Sequence, residues 1–196
     1  LNPITSQLPE PYIGEREKRI VAVGRLNGQK NFGLLIDAFS VFSKSHKDYI
    51  LEIYGEGALQ NSLRTYIQTN NLEKRVMLKG FCKDVHTRIL SSAMFIMSSD
   101  FEGMPNALLE AMAIGLPCIS TDCPCGGPKT LIEQKYNGIL VPVKDKVALI
   151  EAMNYIVDNP KDSQIMATNA VKVRELADVE MIADNWIAFI AACLGG

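Results

Sequence analysis

Two cations flank the first loop that could bind an anion. Arg25 and Lys30 stand five positions apart around Gly28, directly after an apolar run that is typical of a strand. An Arg fork binds phosphate oxygens through two hydrogen bonds, a Lys adds a point charge, and free N–H groups at a helix start supplement both. The loop lacks the three spaced glycines of a dinucleotide-binding fingerprint, and it lacks the Gly-Lys-Ser/Thr ending of a phosphate-binding loop. We interpret it as a candidate diphosphate clamp, with an ordinary basic surface loop as the alternative.

Two glutamates follow the fourth apolar run. Glu102 lies in a turn beside Gly103, and Pro105 suits the first turn of the helix that follows. Glu110 lies on that helix within an apolar stretch, where an unpaired buried carboxylate is costly, so it needs hydrogen-bond donors. The two hydroxyls of a ribose would supply them, and a narrow polar stripe or a structural Arg is the alternative. Because the two carboxylates do not evidently face each other, the pattern does not favour a glycoside hydrolase.

Glycines and cysteines end other strands. Gly55 and Gly57 allow a tight turn, and the backbone at Gly80 and Phe81 could meet the edge of a base. The Cys123/Cys125 pair is separated by one residue and is distant in sequence from both histidines, which favours a packed turn over a metal site. We recognise no Ser-His-Asp or Cys-His triad.

Six short β-rich runs alternate with segments of helical period. The runs cover residues 19–24, 49–54, 75–79, 94–98, 117–121 and 138–141. Apolar side chains between residues 32 and 42 recur at the spacing of one buried helix face, with Asn31 as the expected N-cap. The alternation predicts an α/β fold, a Rossmann-like parallel sheet of about six strands with helices on both faces. From about residue 145 the pattern is wholly helical, with breaks near Pro160 and near Ala177 or Asp178.

In open parallel sheets, ligands bind beyond the carboxyl ends of the strands. The candidate residues follow successive strands, so we expect them at one edge of the sheet.

Composition narrows the class of protein. A length of 196 residues fits one α/β domain, and a net charge of -2 argues against a broad nucleic-acid surface. Five cysteines without disulfide-scaffold spacing or a secretory leader favour a reducing cytoplasm. The apolar runs are too short and interrupted to span a bilayer, and the proline-rich start resembles a linker or an extended arm.

Together these motifs resemble the family-4 retaining glycosyltransferases. The resemblance rests on Gly24-Arg25-Leu26 with Lys30, Gly55-Glu56-Gly57, Gly80, Glu102-Gly103-Met104-Pro105 with Glu110-Ala111-Met112, and Asn137-Gly138 with Val141-Pro142. It covers residues 19–160, and the two Glu residues with seven between them are its most specific part. The family implies a GT-B fold, in which two Rossmann-like domains face each other across a cleft. This chain resembles the second, donor-binding domain over residues 15–196, with residues 1–14 as a remnant of the interdomain linker and the N-terminal acceptor domain missing.

The resemblance also implies the roles of the catalytic residues. Arg25 and Lys30 would hold the donor diphosphate and offset charge on the leaving group. Glu102, with the amides of Gly103 and Met104, would hold sugar hydroxyls and the distal phosphate.

The remaining site residues would bind substrate. Glu110 would bind the ribose hydroxyls, Gly24, Phe81 and Pro105 would complete the pocket, and Asn106 would tune the choice of sugar. The family often has an acidic residue where Thr130 stands, which weakens a role for the fifth loop.

The implied ligand is a nucleoside-diphosphate sugar, with a UDP-sugar favoured by family frequency, and neither a metal nor another cofactor is expected. The acceptor would be a glycan or glycolipid. The full-length protein would act in the cytoplasm, with peripheral association at the inner face of the membrane as an open option. Without its acceptor domain, this chain should bind nucleotide weakly and transfer no sugar.

Three other functions are alternatives to this one. A nucleotide-sugar 2-epimerase has a similar domain and different chemistry. A non-catalytic nucleotide-binding module is disfavoured because Arg25, Lys30, Glu102 and Glu110 are all present. An NAD-dependent oxidoreductase ranks last because the dinucleotide fingerprint is missing.

Overall fold

The computed structural model describes residues 2–4 and 7–194 and is built around one parallel sheet. Its strands are β1 (Glu17–Val23), β2 (Ile50–Tyr54), β3 (Val76–Gly80), β4 (Ser92–Met97), β5 (Cys118–Asp122) and β6 (Ile139–Pro142). They lie in the order β3-β2-β1-β4-β5-β6, with every neighbouring pair parallel. The six predicted strands are confirmed, each within two residues of its observed bounds.

Helices connect the strands and follow the last one. They are α1 (Phe32–Ser45), α2 (Gln60–Thr69), α3 (Val85–Ile89), α4 (Asn106–Ala113), α5 (Gly127–Leu131), α6 (Lys146–Asp158), α7 (Pro160–Ala170), α8 (Val173–Leu176) and α9 (Val179–Leu194). The Asn31 side chain accepts a hydrogen bond from the amide of Leu34, which confirms Asn31 as the N-cap of α1. A short 3-10 turn, Gly28–Lys30, precedes it.

Helices cover both faces of the sheet, as predicted. Ile20 of β1 packs in one core with Phe39 of α1 and Met153 of α6. Its neighbour Val21 points to the opposite face and packs in a second core with Leu108 of α4. The alternation follows from the two-residue period of a strand, and both cores hold the sheet between helical layers.

The helical region after β6 has both predicted breaks, and a further break separates α7 from α8. Asp145 caps α6 by accepting a hydrogen bond from the amide of Ala148, and Pro160 occupies the first position of α7. On α9, Trp186 and Phe189 are 60% and 61% exposed and meet edge to face. Of the helices that the structure describes, none is long and apolar enough to cross a membrane.

The segment before β1 lies against the domain. The amide of Ile4 donates to the carbonyl of Ala177, and the Arg174 guanidinium donates to the carbonyl of Pro9. The assignment of residues 1–14 to an interdomain linker stays a prediction. Within the predicted linker and the predicted domain, Leu1, Thr5, Ser6, Gly195 and Gly196 lie outside the described residues.

Gly127 holds the loop after β4 against the start of α5. A Cβ atom added there would lie 1.5 Å from the carbonyl oxygen of Gly103, a backbone atom that cannot rotate away. We therefore expect Gly127→Ala to lower the free energy of unfolding by at least about 3 kcal/mol in urea denaturation.

Gly33 provides the matched control. It lies within α1, and an added Cβ would meet nothing within 4 Å. Gly33→Ala should leave stability unchanged or raise it by up to about 1 kcal/mol, since alanine favours helix over glycine. Equal free energies of unfolding for the two variants would contradict the proposed loop contact.

Candidate functional site

The candidate site lies at the carboxyl edge of the sheet, where the strand order reverses. β1 and β4 are central neighbours, with β2 and β3 beyond one of them and β5 and β6 beyond the other. The loops that leave such a pair turn toward opposite faces and leave a crevice between them. The loop after β1 carries Arg25 and Lys30, and the loop after β4 carries Glu102.

An ion pair joins these two loops. Nζ of Lys30 lies 2.5 Å from Oε1 of Glu102, and the hydroxyl of Ser99 donates to the same oxygen at 2.7 Å. The two charged side chains are only 17% and 8% exposed. Oε2 of Glu102 has no hydrogen-bond partner among the described residues, and an ammonium group has three N–H donors. Lys30 thus keeps N–H donors, and Glu102 keeps an oxygen acceptor, that are free to bind a ligand.

Further hydrogen bonds align the same two loops. The amide of Asp100 donates to the carbonyl of Gln29 at 2.8 Å, and the Gln29 side chain donates to the carbonyl of Phe101 at 2.9 Å. Nδ2 of Asn31 donates to Oδ1 of Asp100 at 2.8 Å, and the Ser98 hydroxyl donates to the carbonyl of Lys30 at 2.9 Å. The sequence analysis does not predict these contacts. The polar residues Ser98 to Asp100, directly after the apolar strand β4, were the feature that could have indicated them.

A cleft of about 360 Å³ opens beside the ion pair. Its lining residues are Val23, Gly24, Arg25, Tyr54, Gly55, Glu56, Phe81, Cys82 and Val85. The Arg25 guanidinium is exposed, and within residues 2–4 and 7–194 it has no ion pair and no side-chain hydrogen bond. Phe81 presents its ring at 75% exposure. The cleft therefore offers an uncommitted cation and an open aromatic surface.

Lys30 lies next to this cleft although it does not line it. A Cβ atom on Gly24 would be 3.0 Å from Cε of Lys30, so the lysine stem runs along the Gly24 backbone. The backbone of Gly55 lies even closer to Gly24, because a Cβ atom added to Gly55 would lie 2.0 Å from the Gly24 carbonyl oxygen. With φ of 135° at Gly55, only glycine fits there without strain.

A partly buried ionic cluster surrounds Glu52 and includes Tyr54, one of the residues that line the cleft. The Tyr54 hydroxyl donates to Oε2 of Glu52 at 2.8 Å, and Arg19 and Lys79 each approach the same carboxylate at 3.2 Å. Burial, reinforced by this hydrogen bond, raises the pKa of Tyr54 above its ordinary value. Burial alone would raise the pKa of Glu52, but the hydrogen bonds from Tyr54 and Lys79 prevail and lower it. Tyr54 is thereby fixed as a neutral donor.

The turn before α4 exposes backbone donors. The amides of Gly103 and Met104 find no hydrogen-bond acceptor in the described part of the chain. Pro105 is buried directly before the helix rather than in its first turn, with φ of -83° and ψ of 91°. Asn106 begins the helix, and its Oδ1 accepts from Nδ2 of Asn2 at 2.7 Å. The Asn106 side chain thus already has a partner in the N-terminal segment.

Glu110 faces a histidine instead of the Arg considered above. Nε2 of His86 lies 2.9 Å from Oε2 of Glu110, and the two side chains are 23% and 30% exposed. His86 comes from α3, beside Val85, which lines the cleft. No local sequence pattern pairs two residues on separate helices, and the sequence analysis treats the histidines only as possible metal ligands.

The loop after β5 forms a packed turn. Cys123 is buried and its thiol donates to the carbonyl of Ser99 at 3.3 Å, whereas Cys125 is exposed. Burial raises the pKa of the Cys123 thiol. The Thr130 hydroxyl donates to the carbonyl of Gly127 at 2.7 Å. Among the described residues, no group of three or more His, Cys, Asp or Glu side chains could hold a metal ion.

Three of the four predicted charged residues therefore occupy two neighbouring places, and Glu110 lies apart from both. Lys30 and Glu102 are in direct contact, and Arg25 lines the adjoining cleft. Glu110 does not contact the ion pair and does not line the cleft. It contacts His86, which lies on the same helix, α3, as the cleft residue Val85.

Removing one partner of the Lys30–Glu102 pair should leave the other charge buried. We expect Lys30→Met to lower the free energy of unfolding by about 3 kcal/mol at pH 7, measured by urea denaturation. The double variant Lys30→Met/Glu102→Gln removes both charges and should recover most of that loss. Lys18 pairs with Asp48 at the surface, both more than half exposed, so Lys18→Met is the control and should have little effect. An equal loss in Lys30→Met and Lys18→Met would contradict the buried pair.

Comparison with known proteins gives a consistent picture. A family model described as glycosyl transferases group 1 matches residues 5–173. The UDP-Gal:alpha-D-GlcNAc-diphosphoundecaprenol alpha-1,3-galactosyltransferase of Escherichia coli is 34% identical over 167 residues, which cover 83% of this chain and 42% of that protein. A crystal structure of an S. aureus TarM mutant in complex with Fondaparinux, alpha-GlcNAc-glycerol and UDP is similar with a TM-score of 0.85 and 25% identity. The match covers 92% of this chain and 36% of that chain.

One similar structure consists of a single domain. The C-terminal domain of LpcC, a glycosyl transferase group 1 family protein from Francisella tularensis, has a TM-score of 0.78 at 19% identity. The match covers 90% of this chain and 99% of that chain. In contrast, the chain spans about half or less of the length of the curated relatives it matches. Since the family model matches well over half of the 196 residues, the chain belongs to the glycosyl transferases group 1 family.

Proposed function

We propose that this chain is the donor-binding half of a family-4 retaining glycosyltransferase of GT-B architecture. It would bind a nucleoside-diphosphate sugar whose sugar is transferred to a glycan or glycolipid acceptor. The observation that carries the proposal is the uncommitted Arg25 cation in the cleft, next to the spare donors of Lys30. Two cations at the switch point of a parallel sheet favour a diphosphate there.

The cations would stabilise the leaving group. When the bond between the anomeric carbon and the diphosphate breaks, negative charge grows on the departing phosphate oxygens. Lys30 is held in place before the reaction by its ion pair and by the hydrogen bonds between the two loops, and Arg25 lines the cleft beside it. Fixed cations stabilise developing charge without reorganising, which is the largest catalytic contribution that a site of this kind offers.

Glu102 would bind the sugar and not act as a nucleophile. Its Oε1 is committed to Lys30 and Ser99, which lowers its reactivity toward the anomeric carbon. Its free Oε2 can accept a hydrogen bond from a sugar hydroxyl, and the unpartnered amides of Gly103 and Met104 can donate to hydroxyl or phosphate oxygens. We propose front-face transfer, with retention and without an enzyme nucleophile.

The nucleoside would lie along the cleft. Gly24 and Gly55 line the cleft without side chains, and the exposed Phe81 ring would contact the base. Glu110 has a free Oε1 that can accept hydrogen bonds from the ribose. We propose that no metal ion takes part, because Arg25 and Lys30 supply the positive charge.

The relatives inform the choice of substrates. The Escherichia coli relative is named for UDP-Gal and a diphosphoundecaprenol-linked acceptor, and the TarM complex contains UDP. We therefore propose a UDP-sugar donor, a lipid-linked glycan acceptor and a cytoplasmic protein at the inner face of the membrane. An N-terminal acceptor domain would complete the enzyme, and the exposed Trp186 and Phe189 on α9 are available to contact it.

A nucleotide-sugar 2-epimerase would use the same nucleotide site. The two activities differ in product, since an epimerase releases the epimeric sugar without an acceptor. Incubation of the full-length protein with a UDP-sugar, followed by separation of epimers and of glycosylated acceptor, distinguishes them.

Titration calorimetry with UDP, GDP and ADP tests the diphosphate clamp. We expect the chain to bind at least one of them, with UDP favoured, and to transfer no sugar by itself. Arg25→Ala should weaken binding by about 1.5–3 kcal/mol, because it removes a charge-assisted hydrogen bond to phosphate. Lys30→Met/Glu102→Gln should weaken it by a similar amount without leaving a buried charge.

Lys47→Ala is the matched control for charge. Lys47 is exposed and lies between α1 and β2, at the opposite edge of the sheet. Its removal should leave the affinity unchanged. Binding that is absent for all three nucleotides at millimolar concentration, or that is equal in Arg25→Ala and the parent, would refute the clamp.

A further inference from the structure

We propose that His86 is a positioning residue that holds the Glu110 carboxylate for ribose binding. The inference rests on the proposed function, because it assigns the structure around the ribose end of the same site. It begins from the 2.9 Å contact between Nε2 of His86 and Oε2 of Glu110.

The contact engages only one carboxylate oxygen. Oε1 of Glu110 has no hydrogen-bond partner among the described residues, and His86 is the one partner that its carboxylate has there. A carboxylate oxygen accepts more than one hydrogen bond, so Oε1 and the remaining lone pair of Oε2 can still receive ribose hydroxyls. His86 thus restrains Glu110 without occupying its binding capacity.

The restraint matters because a glutamate side chain is flexible. Without a partner, the partly exposed Glu110 carboxylate would sample several rotamers and lose that freedom on binding nucleotide. Holding it beforehand removes part of that cost, as in any preorganised site. The neutral imidazole can do this with the proton on Nε2, because it then donates to the carboxylate.

The fold holds His86 in place. Its helix α3 is anchored by the buried Ile89, and Val85 faces the cleft. The nearby charged groups are Asp84, directly before α3, and Arg88 on α3, and they pair with each other at 3.4 Å, which leaves His86 to Glu110. Glu110 is the one hydrogen-bond partner of the His86 ring among the described residues, and no third His, Cys, Asp or Glu joins them there to hold a metal ion, which favours a positioning role for this ring.

The test compares UDP with 2′-deoxy-UDP by titration calorimetry. The parent should prefer UDP by about tenfold or more, since a hydrogen bond to a charged group is lost with the 2′-hydroxyl. His86→Leu should reduce this preference to less than about threefold, and Glu110→Gln should also reduce it because it removes the charged acceptor. His86→Gln keeps an amide donor in place of Nε2 and should restore the preference.

Inorganic pyrophosphate serves as the probe of the neighbouring cations. Its affinity should be unchanged in His86→Leu and His86→Gln, whereas Arg25→Ala should weaken it. If His86→Leu fails to fold by circular dichroism, His86→Asn, whose amide is too short to reach Glu110, takes its place.

The outcomes separate the two proposals. If UDP binds and His86→Leu keeps the parent's preference over 2′-deoxy-UDP, the positioning role is wrong and the proposed function stands. If neither the nucleotides nor pyrophosphate bind to the parent, both are wrong. A loss of UDP preference that His86→Gln does not restore would also overturn the positioning role, because it would indicate a packing effect.

Discussion

The ion pair between Lys30 and Glu102 joins the two loops that leave the central strands of the sheet. It spans 72 residues of sequence, and both side chains are largely buried. A buried pair is tolerated only when good geometry and additional hydrogen bonds compensate for the lost hydration. Here the Ser99 hydroxyl donates to Glu102, and hydrogen bonds between the two loops fix the geometry. The cost of burying these charges is repaid by a site in which a cation and an acceptor are already positioned.

Close backbone contacts impose the second constraint. Gly24 approaches Gly55 at the cleft. Gly103, in the loop after β4, approaches Gly127 at the start of α5. A side chain at Gly55 or Gly127 would collide with a carbonyl oxygen, so the loops can converge only with glycine there. The convergence of Gly24 and Gly55 also brings Lys30 next to the cleft that Arg25 lines, which connects the packing of the loops to the proposed binding of a diphosphate.

The sequence predicts the elements of this fold better than the contacts of its site. The strands are short apolar runs between turn residues, and the cap at Asn31 and the break at Pro160 have local chemical signatures. Arg25, Lys30 and Glu102 are predictable as neighbours of one edge, because parallel strands end together. The pairing of His86 with Glu110 depends on how α3 packs beside α4, which no local pattern encodes. Asn106 likewise meets Asn2 across 104 residues.

The central claim is that the crevice between the loops after β1 and β4 holds a nucleoside diphosphate. A crystal structure of the chain with bound UDP tests it most directly. We predict phosphate oxygens within hydrogen-bond distance of both the Arg25 guanidinium and Nζ of Lys30, with the ribose toward Glu110. Density for UDP at another edge of the sheet, or a diphosphate that touches neither cation, would contradict the account.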